Sequence, residues 1–291
     1  MVMAQYKESL GDILFRYLNM IILGLLSLLM LMPFAKVLAT SFSGPNPVDA
    51  GEVYFWPVQF TLESWSYVLK QAPLWNSFLL TLFATVVGTC ICLLVTALMA
   101  YPLAKGEFKL AKIIMVMVVI TMIFRYPIIP YFLALRSYGL YNSIWVLIIP
   151  HTISAFNLII IRTFFKGMPK ELEEAAQIEG CGYFRLLFRI VLPSSKAVLA
   201  TLGIFYAVGI WNQFMTPLMF IEDQALYPLQ LKLREYIIFT DMIAEGPKVV
   251  LPYNNTTLQA TTVIFATIPI LLVYPFLQKH FVKGAMLGSV K

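Results

Sequence analysis

Few residues of this chain could do chemistry, and none assembles into a familiar catalytic set. There is no G-x-x-x-x-G-K-[ST] loop to cradle phosphates, no H-E-x-x-H, no metal-spaced Cys/His cluster and no nucleophile elbow with a plausible triad. His151 directly follows Pro150 in an apolar run and reads as satisfying a backbone group that the proline frees. Cys90, Cys92 and Cys181 read as small packing residues rather than as a disulfide framework. What remains is binding chemistry. Arg125 interrupts an apolar stretch, and Pro127 and Pro130 follow it, breaking or kinking the helix and leaving carbonyls to be satisfied in a polar cavity. A guanidinium at membrane depth is expensive, and one that stays there binds carboxylates through two parallel hydrogen bonds. Snorkelling to the interface and an internal ion pair are its other readings. Tyr126, Tyr131, Asn157, Trp211, Asn212 and Gln213 add rings that stack and amides that hydrogen-bond; interfacial belts and packing are the alternative for the aromatic ones.

The elements that must position these groups are membrane spans. Of 291 residues, 60% are hydrophobic and 12% charged, with a mean hydropathy of +0.80. So few charges cannot cover the surface of a water-soluble domain of this size, so lipid must be the solvent for much of it. A bilayer core takes roughly 20 apolar residues of helix. Residues 17–35, 71–104, 137–161, 197–221 and 249–278 carry no Lys, Arg, Asp or Glu. The chain therefore predicts an all-α fold with six spans, at about 17–38, 74–103, 111–134, 140–162, 197–221 and 257–279. The first is read as retained, because its apolar stretch is longer than the core of a secretory signal. Outer loops fall at 39–73 and 222–256, the latter with a short helix at about 229–239, an inner loop at 163–196 and a cytosolic tail at 280–291.

Charge sets the orientation. Most of the 21 basic residues collect on one side: Lys7, Arg16, Lys105, Lys109, Lys112, Arg162, Lys166, Lys170, Arg185, Arg189, Lys196, Lys279, Lys283 and Lys291. Acids such as Asp49, Glu52, Glu222, Asp223 and Glu245 collect on the other. The positive-inside rule then puts both termini in the cytosol, and the +6 net charge belongs to topology rather than to nucleic acid. About 20 Å of helix beyond Lys112, Arg125 lies in the outer half of its span.

The inner loop 163–196 is the most informative stretch. Pro169 suits the first turn of a helix, Glu171, Glu173 and Glu174 suit its positive end, and Gly180 and Gly182 end it. A second short helix follows, with Phe184, Leu187, Phe188 and Val191 at i, i+3, i+4, i+7 as its apolar face, Arg185 and Arg189 on another, and Pro193 at its close. Two amphipathic helices at a bend offer a handle to another protein, and the small Ala175-Ala176 pair lets a partner's backbone come near. A folded interfacial loop packed on its own spans or on lipid is the competing reading.

Glu174-Ala175-Ala176, Gly180, Ile190 and Leu192-Pro193, at these spacings, resemble the EAA signature of binding-protein-dependent ABC importer permeases. Phe156-Asn157, Val208-Gly209, Trp211-Asn212, Leu226-Tyr227-Pro228-Leu229 and Phe281-Val282-Lys283-Gly284 resemble the carbohydrate branch, especially the smaller permease subunit of maltose-transporter-type systems. The likeness covers roughly residues 70–291. It implies a permease subunit in a bacterial inner membrane, moving an oligosaccharide without acting on it chemically. It also implies a homologous second permease, two ATPase subunits that hold ATP and Mg, and an extracytoplasmic solute-binding protein received by the outer loops. No cofactor is expected on this chain. The signature loop would seat in a groove of the ATPase, and residues 284–291 would reach between the two ATPases. Arg125 departs from the small residues common in the family at its position, and points to an acidic, uronide-type sugar; a neutral sugar or glycoside is the alternative. A secondary transporter fits less well, since the predicted spans carry no carboxylate to drive one.

Overall fold

The computed structural model describes residues 10–124, 126–178, 180–244 and 253–287, with side chains left undescribed at 170, 177, 237–244 and 273–287. Every regular element among the described residues is helical, and none is a strand. The chain divides into two compact units, Met1–Gln71 with Tyr236–Phe265, and Ala72–Glu235 with Ala266–Lys291.

In the first unit, α1 (Leu10–Ser41) exposes nearly all of its apolar side chains until Ala39, Thr40 and Ser41 enter the core. Such a helix is built for lipid or for another membrane chain. The short α2 (Pro45–Asp49) and α3 (Glu63–Lys70) follow. Phe42 stacks on Phe60 and Trp65, and the Ser64 hydroxyl donates to the Thr257 hydroxyl at 3.0 Å.

The second unit is built on α4 (Ala72–Ala104). Ala84, Gly88, Cys92, Thr96 and Ala100 recur every four residues and are all buried. That stripe of small side chains lets other backbones come close where no hydrophobic effect drives helices together. The later α7 and α10 pack along α4. A Cβ added at Gly88 would stand 2.8 Å from Ile210 Cδ1 and 3.3 Å from Ile148 Cγ1. Thr96 shares a 2.6 Å hydrogen bond with the Tyr206 hydroxyl, which also accepts the Ser154 N–H.

Several expected spans are broken. The run 111–134 forms α5 (Ala111–Ile123) and α6 (Ile128–Ser137) instead of one helix. The chain leaves the helix at Phe124, whose ψ is 114°, and Pro127 disfavours a return to helical geometry at Tyr126 just before it. The run 140–162 contains two 3₁₀ turns, Ile144–Leu147 and Ile149–His151, before α7 (Ala155–Lys166), with a 47° bend between turns and helix. After α8 (Lys170–Ile178) and α9 (Tyr183–Ser194), an 85° bend leads into α10 (Lys196–Trp211). The run 197–221 does not stay helical: α10 stops at Trp211, and α11 (Met215–Phe220) is separate. The helix α12 (Leu229–Ala244) is longer than the 229–239 expected, and α13 (Asn255–Leu287) runs helical past residue 280. Leu10–Ser41, Ala72–Ala104 and Asn255–Leu272 are each long and apolar enough to cross a bilayer, and the two bent pairs raise that number to five.

The close approach at Gly88 predicts a graded substitution series. Gly88→Ala displaces the terminal methyl of Ile210, needs Ile148 to give by a few tenths of an ångström, and is tolerated. Gly88→Leu overpacks the α4–α10 contact and costs about 1–3 kcal/mol, read as a lower unfolding temperature in detergent and partly relieved by Ile210→Ala. Equal unfolding temperatures for the wild type and Gly88→Leu would contradict this packing.

Candidate functional site

Residues 163–196 form a projecting corner of the second unit. The helix α7 closes on Gly167, whose N–H donates to the Thr163 and Phe164 carbonyls, and α8 opens directly after Pro169. At the far end, the Cys181 N–H reaches back to the Ala176 carbonyl at 3.0 Å, around Gly180 at φ +75°. This is the left-handed closure that glycine adopts at no steric cost. Gly182, at an ordinary φ of −71°, opens α9.

The structure divides the signature residues by direction. Ala176 is only 4% exposed and packs in the core with Leu103, Ile161, Phe165 and Leu186. Ile190 and Leu192 pack on the same core. Glu174, Ala175 and Pro193 face outward, beside Glu171 and Ile178, the last 88% exposed. The expectation of a small Ala175-Ala176 pair open to a partner is thus corrected: Ala175 is open, and Ala176 fastens the helix to its own body.

The apolar face assigned to α9 also needs correction. Leu187 and Val191 are buried, but Phe184 and Phe188 are 74% and 47% exposed, and Leu186 takes the inward place. Leu186, Leu187, Ile190 and Val191 share the inward side, which leaves Phe184 and Phe188 off its edge; the segment Leu187–Val191 is a π-helical turn.

Polar ties that the sequence did not suggest hold this corner to the C-terminal end of α4. Arg162 Nε donates to the Leu103 carbonyl at 2.8 Å. The Tyr183 hydroxyl donates to Glu107 Oε2 at 3.1 Å, and that bond raises the Tyr183 phenol above its ordinary pKa. Lys105 forms an ion pair with Glu173, and its ammonium lies 4.7 Å from the centre of the Tyr101 ring. Lys105 enters the sequence reading only through its charge, and Glu107 does not enter it at all.

Arg125 lies outside the described residues. Of the other residues predicted to line a substrate path, the structure brings Tyr126 and Tyr131 into contact with each other. Tyr126 stacks on Tyr131 at 4.2 Å, and Tyr131 meets Phe220 edge-on at 5.8 Å. Trp211 is buried with an edge contact to Phe78 at 6.0 Å, and its Nε1 makes no hydrogen bond. Buried Gln213 donates from Nε2 to the Leu147 carbonyl at 2.8 Å, while its Oε1 stays unbonded. Asn157 is buried in the first turn of α7, and exposed Asn212 donates to the Val208 carbonyl at 2.9 Å. The hydroxyls of Thr85 and Thr89 are buried without partners, and so is His151 Nδ1, contrary to the satisfied role expected for that histidine. Each unbonded buried polar group costs about 1–3 kcal/mol, which a bonding partner on another molecule would recover. Sequence reasoning passed over both threonines, which read as ordinary small residues of an apolar helix.

The turn at Gly180 generates its own prediction. Gly180→Ala has room for its Cβ but must hold a left-handed conformation, which costs about 1 kcal/mol. Gly182→Ala, equally open and at negative φ, costs far less. Thermal unfolding of the two purified variants separates them, and an equal loss would contradict the turn.

Comparison with known proteins places this arrangement. The family of binding-protein-dependent transport system inner membrane components matches residues 1–286. The protein LplC of Bacillus subtilis (strain 168) is 42% identical over 277 residues, 94% of this chain and 93% of LplC. The polygalacturonan/rhamnogalacturonan transport system permease YtcP of the same organism is 40% identical over 284 residues, 95% of this chain and 99% of YtcP. Among solved structures, a chain of a bacterial ABC transporter involved in the import of the acidic polysaccharide alginate superposes with a TM-score of 0.86 at 27% identity, covering 95% of this chain and 100% of that one. Permeases of this kind are membrane components without enzymatic activity, and ATP is hydrolysed on a separate subunit. This chain belongs to the binding-protein-dependent transport system inner membrane components, the permease family of ABC importers.

Proposed function

We propose that this chain is one of two permease subunits of an importer in the bacterial cytoplasmic membrane, moving an acidic, uronide-type oligosaccharide. Its partners are a homologous permease, two ATPase subunits carrying ATP and Mg, and an extracytoplasmic solute-binding protein that meets the outer loops. The chain crosses the membrane six times with both termini inside, and the broken helices count as spans. The observation that carries this reading is the projecting α8 edge, where Glu174, Ala175 and Ile178 stand open while Ala176 anchors the helix. Open aliphatic groups beside carboxylates on a cytosolic corner suit a groove of complementary charge on the ATPase. Closure of the ATPase dimer on ATP would press on this edge and rock the spans from inward- to outward-facing.

The sugar class rests on the polygalacturonan/rhamnogalacturonan permease and the alginate importer among the relatives, together with Arg125 in the sequence. Stacked Tyr126–Tyr131 and the unbonded Trp211 and Gln213 groups supply ring and hydrogen-bonding surfaces of the kind that sugars take.

Neighbouring alanines provide the test of coupling. Ala175→Arg leaves folding and membrane insertion intact and cuts co-purification of the ATPase subunits by about tenfold, by burying a bulky charge in the interface. Ala176→Arg reduces accumulation of the permease itself. Normal ATPase capture by Ala175→Arg would remove the coupling role. For the substrate, import of a trigalacturonate and of a neutral oligosaccharide is compared in Arg125→Ala: the reading expects selective loss of the acidic sugar, and equal losses would end it.

A further inference from the structure

The contact between α8 and the C-terminal end of α4 is unusually thin. Two cavities border this end of α4, one towards α9 and one towards α8. One, of about 640 Å³, opens between Leu98, Pro102, Phe108, Phe184 and Leu187. The other, of about 330 Å³, lies between Ala104, Gly106, Phe165, Met168 and Glu173. Tyr101, Lys105 and Glu107 line both. No helix packs broadly on α8 among the described residues, and Ala176 is the residue of α8 that joins the core. Across this gap runs the Lys105–Glu173 ion pair, with side chains only 17% and 20% exposed. Glu107, the other carboxylate beside Lys105, is engaged by the Tyr183 hydroxyl. The Tyr101 ring fixes the ammonium from the α4 side.

We propose that the Lys105–Glu173 ion pair is the strut through which displacement of α8 reaches α4, making both side chains positioning residues for transport. The inference rests on the coupling reading above. Apolar surfaces separated by voids yield to a push, whereas an enclosed, charge-assisted bond keeps its length. Lys105 is one residue beyond the end of α4, so force applied at Glu173 acts along the helix that α7 and α10 pack against. Trp211 contacts Phe78 near the other end of α4, which links the same helix to the predicted substrate path.

The experiment uses the assembled importer in lipid vesicles, with Cys90, Cys92 and Cys181 replaced by Ala and a reporter Asn76→Cys on the exposed first turn of α4. The readout is the change in maleimide labelling rate on adding ATP and vanadate, which requires no knowledge of the sugar. Lys105→Met and Glu173→Gln each reduce that change by about fivefold while the ATPase subunits still co-purify. The exchange Lys105→Glu with Glu173→Lys restores it to within about twofold of the unexchanged chain, beyond either single reversal. An unaltered change in the neutral variants, or an exchange no better than its single reversals, overturns the proposal. Should the neutral variants not accumulate, Glu173→Asp keeps the charge and shortens the reach; unaltered labelling there overturns the strut equally. An unexchanged chain that captures no ATPase, or shows no response to ATP, refutes the coupling reading itself, which separates the two failures.

Discussion

Close contact along the small-residue face of α4 is the constraint on which the second unit depends. In lipid, helices gain nothing from hiding apolar surface, so association must come from contact distance and satisfied polar groups. The stripe Ala84, Gly88, Cys92, Thr96 and Ala100 supplies the distance, and the shared hydrogen bonds of Thr96, Tyr206 and Ser154 supply the second term. With α4 gripped by α7 and α10, a displacement at either end of α4 is felt by both neighbours. The corner formed by α8 and α9 is built differently, from thin contacts and polar ties around cavities. A rigid bundle with a lightly attached lever is what an externally driven conformational change requires.

The signature loop shows how one motif serves two purposes. Gly180 shapes the turn, while Ala176, Ile190 and Leu192 fasten the loop to the body. Glu174, Ala175 and Pro193 are left for contact. A motif recognised as a whole therefore hides a division that only packing reveals, and substitutions at adjacent positions fail for opposite reasons.

Much of this was legible in the sequence where one residue type has one physical consequence. Long charge-free runs foretold α1, α4 and α13, Pro127 foretold the break after α5, and Gly180 foretold the end of α8. What escaped depended on tertiary context. Periodicity groups Phe184 and Phe188 with Leu187 and Val191 on one apolar face, yet packing buries the second pair and leaves the phenylalanines exposed. The run 197–221 reads as continuous, yet the Asn212 amide bonds to the Val208 carbonyl and the helix stops at Trp211. The pairing of Lys105 with Glu173 joins residues far apart in the chain, and no local pattern announces it. Arg125, on which the sequence reading of substrate charge turns, stands out by its depth, by the prolines after it and by its departure from the family's small residues, and it lies outside the described residues.

The division of the loop into an inward and an outward edge is the central claim, and site-specific photo-crosslinking measures it directly. A benzoylphenylalanine placed at position 175, in the importer assembled with its ATPase subunits, is predicted to give a covalent adduct with the ATPase, while the same group at position 176 gives none. Adducts from position 176, or none from position 175 in an assembled complex, would contradict the account.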